Sequence, residues 1–335
     1  MLRFIKGTIL SLFAALLLVA SALSSGVSAQ TIPGISEPIV FSVVPEYPRP
    51  NQTIYVSAQS YSTDLNKAIF KWSVNGEIYA EGVGLKEISL KLGKTGTATS
   101  ISIEVSTPDF GVIRNGMLFR PADVTLLWQS DTYVPPFYEG KALHSYNGAF
   151  KVTAIPEFFD QSGKRINPKD LIYTWKKNGT VQGSASGFGR DSFTTSQTSY
   201  MREGEEITVE VSSPKENLAG SAFTTVVPSL PEIVFYENSP LYGLMYEKAL
   251  RNSFDLLSEE ITLRAEPFYI SGLDPLDGFL SFDWKMNGGS IADFKDRNEI
   301  VLRKSGTGGR SDINLVVQHR AKLLQGAQGS ITINQ

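Results

Sequence analysis

Apolar residues recur at every second position in several segments of the chain, with polar residues between them. An early set comprises Ile54, Val56 and Ala58, then Phe150, Val152 and Ala154, then Ile261, Leu263 and Ala265. A later set comprises Ile101, Ile103 and Val105, then Ile207, Val209 and Val211, then Ile313, Leu315 and Val317. A period of two places one face of a β-strand in a core and the other in water. The pattern predicts half-buried strands throughout, and the best helical segment is Leu241 to Leu250.

A tryptophan followed three residues later by Asn-Gly lies between the early and the later strand of each set. The copies are Trp72 with Asn75-Gly76, Trp175 with Asn178-Gly179, and Trp284 with Asn287-Gly288. Asn-Gly is the strongest two-residue signal of a type I′ hairpin. In an immunoglobulin-like sandwich, a tryptophan on the third strand fills the centre of the core. We therefore predict an all-β fold of three tandem immunoglobulin-like β-sandwich domains after a signal peptide, with these tryptophans as core residues.

The repeats and the proline-containing segments between them set the expected domain boundaries. We expect a signal peptide at residues 1–29 and three domains at residues 30–121, 122–230 and 231–335. The segments that join the domains are short, and each contains proline, which restricts the backbone. The sequence therefore predicts a stiff rod of three domains.

The amino-terminal segment has the features of an export signal. Arg3 and Lys6 precede an apolar run from Thr8 to Leu23, and Val27-Ser28-Ala29 places small residues where signal peptidase cleaves. We expect cleavage after Ala29 and a location that is extracellular, periplasmic or on the cell surface. The alternative is an uncleaved signal that is retained as a membrane anchor.

Composition excludes several classes of chemistry. The chain has no cysteine and two histidines among 335 residues, and its formal net charge is −3. Disulfides, thiolate nucleophiles and cysteine-ligated metals are therefore impossible, and nucleic-acid binding is disfavoured. We expect no cofactor and no enzymatic activity.

The second and third domains begin with longer segments that have related sequences. These openings run from Trp128 to Leu143 and from Phe235 to Leu250, and both end in Lys-Ala-Leu. Their aromatic residues either pack the junction with a neighbouring domain or form an exposed platform for a sugar, peptide or partner subunit. The candidate binding residues are Trp128, Tyr133, Phe137, Tyr138, Tyr242 and Tyr246.

Other polar residues are weaker candidates. Asp274 and Asp277 lie in a turn rich in proline and glycine and are candidate calcium ligands. We interpret His144 and His319 as surface residues, and Glu203, Glu205 and Glu206 as a solvated loop.

The tryptophan, the Asn-Gly turn and the repeated sandwich pattern resemble bacterial immunoglobulin-like and polycystic-kidney-disease-type surface modules. The segment from Pro135 to Leu143 resembles uncharacterised exported multi-domain proteins of environmental bacteria. The resemblance covers most of the chain and implies a fold and a surface location, but no activity. One departure is the Asn-Gly turn, because the polycystic-type signature has an aspartate-rich turn after the tryptophan.

These features favour a non-catalytic exported cell-surface or envelope protein that acts as a binding and spacing module, with a protein or glycan partner. One alternative is a structural subunit of a surface appendage or envelope assembly, which docks through a strand edge or the aromatic openings. Another is an accessory carbohydrate-binding protein. Any membrane association is expected only through an uncleaved signal or a partner.

Overall fold

The computed structural model describes residues 39–197, 203–216, 218–272, 274–276, 278–304, 306 and 308–335. In this part of the chain there are 24 strands and two short 3₁₀ helices, Pro168–Asp170 and Ala292–Phe294. The strands form six sheets, which pack in pairs around three separate apolar cores. The predicted all-β fold of three tandem immunoglobulin-like sandwiches is confirmed.

The first domain contains seven strands in two sheets. The strands are β1 (Val40–Val44), β2 (Thr53–Gln59), β3 (Ile69–Val74), β4 (Glu77–Val83), β5 (Glu87–Lys91), β6 (Thr99–Thr107) and β7 (Gly111–Phe119). One sheet has the order β1-β2-β5 and the other β4-β3-β6-β7. Buried positions alternate along the central strands because only one face of each strand meets the core, and in β6 every second residue from Thr99 to Thr107 is buried.

The second domain repeats this arrangement. Its strands are β8 (Asp123–Ser130), β9 (Ala149–Glu157), β10 (Ile172–Lys177), β11 (Thr180–Val181), β12 (Gly187–Phe188), β13 (Ser192–Ser196), β14 (Glu205–Ser213) and β15 (Leu218–Val226). The sheet β13-β9-β8 faces the sheet β11-β10-β14-β15, and β12 pairs with β10. The edge strand β11 is only two residues long, whereas its counterpart β4 in the first domain has seven.

The third domain adds two edge strands. Its strands are β16 (Glu232–Ser239), β17 (Gly243–Leu250), β18 (Ser253–Asp255), β19 (Glu260–Phe268), β20 (Leu280–Met286), β21 (Gly289–Ser290), β22 (Glu299–Arg303), β23 (Arg310–His319) and β24 (Gly326–Asn334). The sheets have the orders β17-β16-β19-β22 and β18-β24-β23-β20-β21, with β18 parallel to β24. The expectation of helix within residues 241–250 is wrong, because pairing with β16 holds this segment extended as β17.

The three repeated tryptophans occupy the same place in their sandwiches. Trp72, Trp175 and Trp284 have exposed fractions of 0%, 0% and 1%. Each indole Nε1 donates to a backbone carbonyl just before β5, β13 or β22, at 2.9 Å to Leu85, 2.9 Å to Arg190 and 2.8 Å to Arg297. A buried indole N–H that lacked a partner would be costly. The repeated bond therefore lets a large apolar ring fill each core with its polar group satisfied.

The Asn-Gly pairs form the predicted turns and also connect strands. The asparagines have φ angles of 50°, 50° and 49°, and the glycines that follow have 87°, 78° and 84°. Positive φ at both positions is characteristic of the type I′ turn. The side-chain oxygens of Asn75, Asn178 and Asn287 accept hydrogen bonds from backbone N–H groups of Ser100, Glu206 and Asp312. Asparagine therefore serves both the turn and the attachment of the hairpin to the rest of its sheet.

Candidate functional site

Residues 131–148, here called the docking loop, connect β8 to β9 and lie against the third domain. Thr132 forms an antiparallel β-bridge with Ser271. The Tyr133 N–H donates to the Ile270 carbonyl at 2.7 Å, and the Tyr269 N–H donates to the Tyr133 carbonyl at 2.8 Å. Backbone hydrogen bonds of this kind fix both the position and the register of the loop, so the second and third domains share a small piece of sheet.

The Tyr133 side chain ends at a buried charged cluster on the third domain. Its hydroxyl donates to Glu266 at 2.6 Å, and Glu266 has an exposed fraction of 0%. Arg264 Nε donates to the same carboxylate at 2.7 Å, and a second Arg264 nitrogen donates to Glu299 at 3.0 Å. Burial and the neighbouring Glu266 raise the pKa of Tyr133. The cluster compensates a carboxylate that would otherwise be buried without a partner.

Aromatic rings from both domains surround this cluster. The Tyr138 and Tyr269 hydroxyls lie 2.7 Å apart, and the Tyr138 ring meets Phe268 edge-on at 5.3 Å. Burial and the charge of Glu266 raise the pKa of Tyr246 to about 12. The ring of Tyr246 lies 6.4 Å from that of Phe137. Tyr133, Tyr138 and Tyr246 therefore contribute to packing between domains.

Two of the aromatic candidates project mainly into solvent. Phe137 has an exposed fraction of 91%. Tyr242 lies in the turn between β16 and β17 and has an exposed fraction of 80%. Phe137 also has a φ of 64°, which is unusual for a bulky residue. These side chains offer contact area at the outside of the junction.

His144 is buried at the junction, so the interpretation of this residue as a surface histidine is wrong. It has an exposed fraction of 0%, its ring lies 4.7 Å from that of Phe150, and its carbonyl accepts from the Ser229 N–H. Neither ring nitrogen has a hydrogen-bond partner among the described residues. Burial lowers the pKa of His144 to about 4, and the opposite influence of Glu205 does not offset it. The packing of the docking loop therefore favours a neutral imidazole.

Two other polar residues are also more buried than the sequence predicts. His319 has an exposed fraction of 7%, and its Nδ1 accepts from the backbone N–H groups of Ala321 and Lys322. Glu205 has an exposed fraction of 2% and is the first residue of β14. Asn178 and Lys177 contact its carboxylate. Glu203 and Glu206 are both exposed, but Glu206 lies within β14 and not in the expected loop.

Trp128 lies outside the junction, at the edge of the second domain. It is half-buried on β8, and the Lys141 ammonium lies 3.1 Å from the centre of its ring. A groove of about 690 Å³ runs past this ring. The arrangement brings an aromatic face and a cation together on a surface that is open to solvent.

The joint between the first and second domains is simpler. Arg120 pairs with Glu216 at 2.9 Å, and Phe159 packs against Gly96. Beside these contacts, Tyr47 and Phe223 line a gap of about 480 Å³ between the domains. Among the residues that the structure describes, this joint has no counterpart of the docking loop, and the Arg120–Glu216 pair is its ion pair.

The described residues were compared with the requirements of a metal site and of a membrane-spanning helix. Asp274 is exposed and accepts the Leu276 N–H in a local turn, whereas Asp277 lies outside the described residues. No group of three or more His, Asp or Glu residues is arranged to hold a metal ion in the described part of the chain. Across the same residues, no helix has the length and hydropathy needed to cross a bilayer.

Comparisons with known proteins gave similar structures only. No protein-family model matches the chain, and no curated protein matches it. Three N-terminal domains of the bacteriophage RB49 highly immunogenic outer capsid protein are 12% identical over 88% of this chain and 98% of that one, with a TM-score of 0.26. The central fibronectin-III array of RIM-binding protein is 11% identical over 88% and 95%, with a TM-score of 0.30. The Bacteroides ovatus protein SGBP-B, solved with a mixed-linkage heptasaccharide, is 10% identical over 88% and 70%, with a TM-score of 0.23.

Proposed function

We propose that this protein is a non-catalytic exported surface protein, in which the second and third domains form a stiff stalk that carries the first domain as a binding tip. Residues 1–29 act as the export signal, and the three domains comprise residues 30–121, 122–230 and 231–335. The observation that carries the proposal is the docking loop, because backbone hydrogen bonds and the buried Glu266 cluster join the second domain to the third. Relative motion is the usual expectation for tandem domains unless such an interface restricts it.

The first domain has the exposed surface that a binding tip requires. The loops that carry Tyr61 and Phe110 lie at the end of the domain opposite Gly96 and Tyr47, which face the second domain. Tyr61 is 96% exposed and Phe110 50% exposed. A hydrogen bond of 3.0 Å between Thr63 and Asp109 connects the two loops. Aromatic side chains at the end of a sandwich provide large contact area at low entropic cost.

A row of exposed apolar side chains continues this surface along one sheet. Val83 pairs with Ile69, which pairs with Ser106, which pairs with Val112. The three apolar members have exposed fractions of 69%, 49% and 50%. Adjacent exposed apolar residues on a soluble domain favour contact with another macromolecule.

The test is the width of distance distributions between spin labels, since a chain without cysteine accepts labels at chosen positions. We expect a narrow distribution for Val181→Cys with Leu257→Cys, which spans the joint between the second and third domains. A broader distribution is expected for Ile78→Cys with Val181→Cys across the other joint. A broad distribution for the first pair would contradict the stalk. Cell fractionation of the tagged full-length chain tests export.

The edge strand β4 favours a second candidate function, a subunit of a surface assembly. It has seven residues and ends the sheet, and Ile78 and Tyr79 on it are 61% and 50% exposed. An exposed edge of this length presents unpaired backbone groups that a strand of another chain can pair with. Light scattering of residues 30–335 distinguishes the two candidates. The stalk is monomeric, whereas a subunit forms oligomers that Glu81→Pro disrupts.

A further inference from the structure

Trp128 differs from the other three tryptophans of the chain. Trp72, Trp175 and Trp284 are enclosed, and each donates its indole N–H to a backbone carbonyl. Trp128 is half-buried, and its indole N–H has no hydrogen-bond partner among the residues that the structure describes. Part of the ring packs on the core of the second domain, and the rest meets the solvent. Outside the core, the Lys141 ammonium lies over the ring, so the aromatic face becomes available to a ligand when that side chain moves.

The groove beside Trp128 lies where the strands β8 and β15 approach each other at the open edge of the sandwich. Its volume of about 690 Å³ is within the usual range of roughly 300–1,000 Å³ for ligand sites. Apolar and polar side chains both contribute to the walls. The lining residues are Leu126, Leu127, Trp128, Gln129, Lys141, Lys151, Thr153 and Thr224.

The charged groups of the groove are both cationic. Lys141 and Lys151 line it, and no aspartate or glutamate does. Neither lysine forms a salt bridge with another described residue, although the chain as a whole has a net charge of −3. Burial lowers the pKa of Lys141, in agreement with an ammonium that is partly removed from water without a carboxylate partner. This charge pattern is complementary to an anion.

We propose that the groove binds a saccharide chain that carries carboxylate groups, of the polyuronate class. This inference names a ligand class for the proposed surface protein and places a second binding surface on the stalk. The aromatic ring is suited to the apolar C–H face of a sugar, the two lysines to its carboxylates, and Gln129, Thr153 and Thr224 to its hydroxyl groups. A neutral sugar chain satisfies only part of this set, because it leaves both lysines without a counter-charge.

In the proposed binding, the Lys141 side chain has one position without ligand and another with ligand. Without ligand its ammonium lies over the Trp128 ring, 3.1 Å from the ring centre. When a sugar packs on the ring, the flexible lysine side chain moves aside and pairs with a carboxylate of the same chain. The cation–π contact is thus exchanged for an ion pair, which restricts binding to charged sugars.

The test compares two polymers with the same sugar backbone, one with free carboxylates and one with methyl esters, using residues 30–335 in affinity gel electrophoresis and calorimetry. Polygalacturonate is expected to bind, and its fully methyl-esterified form to bind at least about tenfold more weakly, as the loss of a charge-assisted hydrogen bond implies. Lys141→Gln and Lys151→Gln are each expected to weaken polygalacturonate binding by about the same factor. Lys91→Gln, an exposed strand lysine of the first domain, is the matched control and leaves binding unchanged.

The variant Trp128→Leu distinguishes sugar binding from nonspecific electrostatic binding of polyanions. Leucine keeps the apolar packing but removes the aromatic face. We expect this variant to lose binding at an unchanged melting temperature. If Trp128→Leu lowers the melting temperature, the lysine variants still decide the proposal. Absence of binding to polygalacturonate, equal binding of the two polymers, or equal binding by the lysine variants and the wild type overturns it. None of these results affects the stalk, which the spin-label distances test separately.

Discussion

The openings of the second and third domains have related sequences but different structures. Trp128 and Phe235 both lie on the first strand of their domains, and both segments reach a Lys-Ala-Leu sequence 107 positions apart. In the third domain this sequence is the end of β17, paired with β16. In the second domain it lies in the docking loop, outside any strand.

The two segments differ because each packs against a different part of the third domain. The second domain is followed by another domain, and its opening extends away from its own sheet to form hydrogen bonds with residues 269–271. The opening of the third domain instead turns back and covers the edge of its own sheet, and Tyr246 on β17 then contacts Phe137 of the docking loop. A local sequence of moderate β-propensity can therefore form a strand or a loop, depending on the neighbouring backbone with which it forms hydrogen bonds.

The largest expected effect comes from removing the core that supports the docking loop. Trp175→Ala should lower the free energy of unfolding of the second domain by roughly 3–5 kcal/mol, because a fully buried ring leaves a cavity. Scanning calorimetry measures the change. Trp128→Ala is the control, and its loss should be clearly smaller because that ring is half-exposed. Similar stability of Trp175→Ala and the wild type would falsify the assignment of Trp175 to the core.

Acidification should weaken the docked opening. The pKa of His144 is about 4 in the fold, below the value of about 6.5 in an unfolded chain, so the unfolded state binds more protons between these pH values. The contribution of His144 to stability is complete above pH 6.5 and decreases as pH falls, by about 3 kcal/mol at pH 4. The charged groups that influence it are Glu205, Lys177 and Lys322.

The variant His144→Leu isolates this titration from that of the carboxylates. Its free energy of unfolding should depend less on pH between 6.5 and 4 than that of the wild type, as measured by urea denaturation at several pH values. Parallel pH profiles of the two proteins would show that His144 does not titrate in this way.

The Tyr133 hydroxyl should contribute a smaller amount. Tyr133→Phe removes a hydrogen bond to the buried Glu266 and should destabilise the contact between the second and third domains by roughly 1.5–3 kcal/mol. Hydrogen exchange of the backbone amides of Tyr133 and Tyr269 reports the loss locally. Tyr242→Phe, at an exposed position on the opening of the third domain, should leave these exchange rates unchanged.

The smallest effect is expected at the joint that lacks a docking loop. Glu216→Gln removes the salt bridge with Arg120 and should cost about 1 kcal/mol or less, since the glutamine oxygen can still accept a hydrogen bond from the guanidinium. Spin-label distances across this joint should broaden only slightly. A loss as large as that of Tyr133→Phe would mean that the two joints are equally well defined.

Several residues of the junction were missed by sequence reasoning. Arg264 and Glu266 alternate with the buried Leu263 and Ala265, so the pattern places them on the face of the strand that meets water. The docking loop covers that face, and Glu266 becomes fully buried. The only sequence signal was the aromatic opening of the neighbouring domain, which indicated a junction without identifying its partner residues.

The local sequence was sufficient to predict the core strands, the Asn-Gly turns and the repeated sandwich, because alternation of period two and the φ preferences of Asn-Gly act over a few residues. The local sequence did not predict the strand or loop state of the two Lys-Ala-Leu segments, the burial of His144 and Glu205, or the groove beside Trp128. These features depend on contacts between residues far apart in the chain. Burial and the loss of water at such contacts set the structure and charge state of a polar residue, and no local pattern records them.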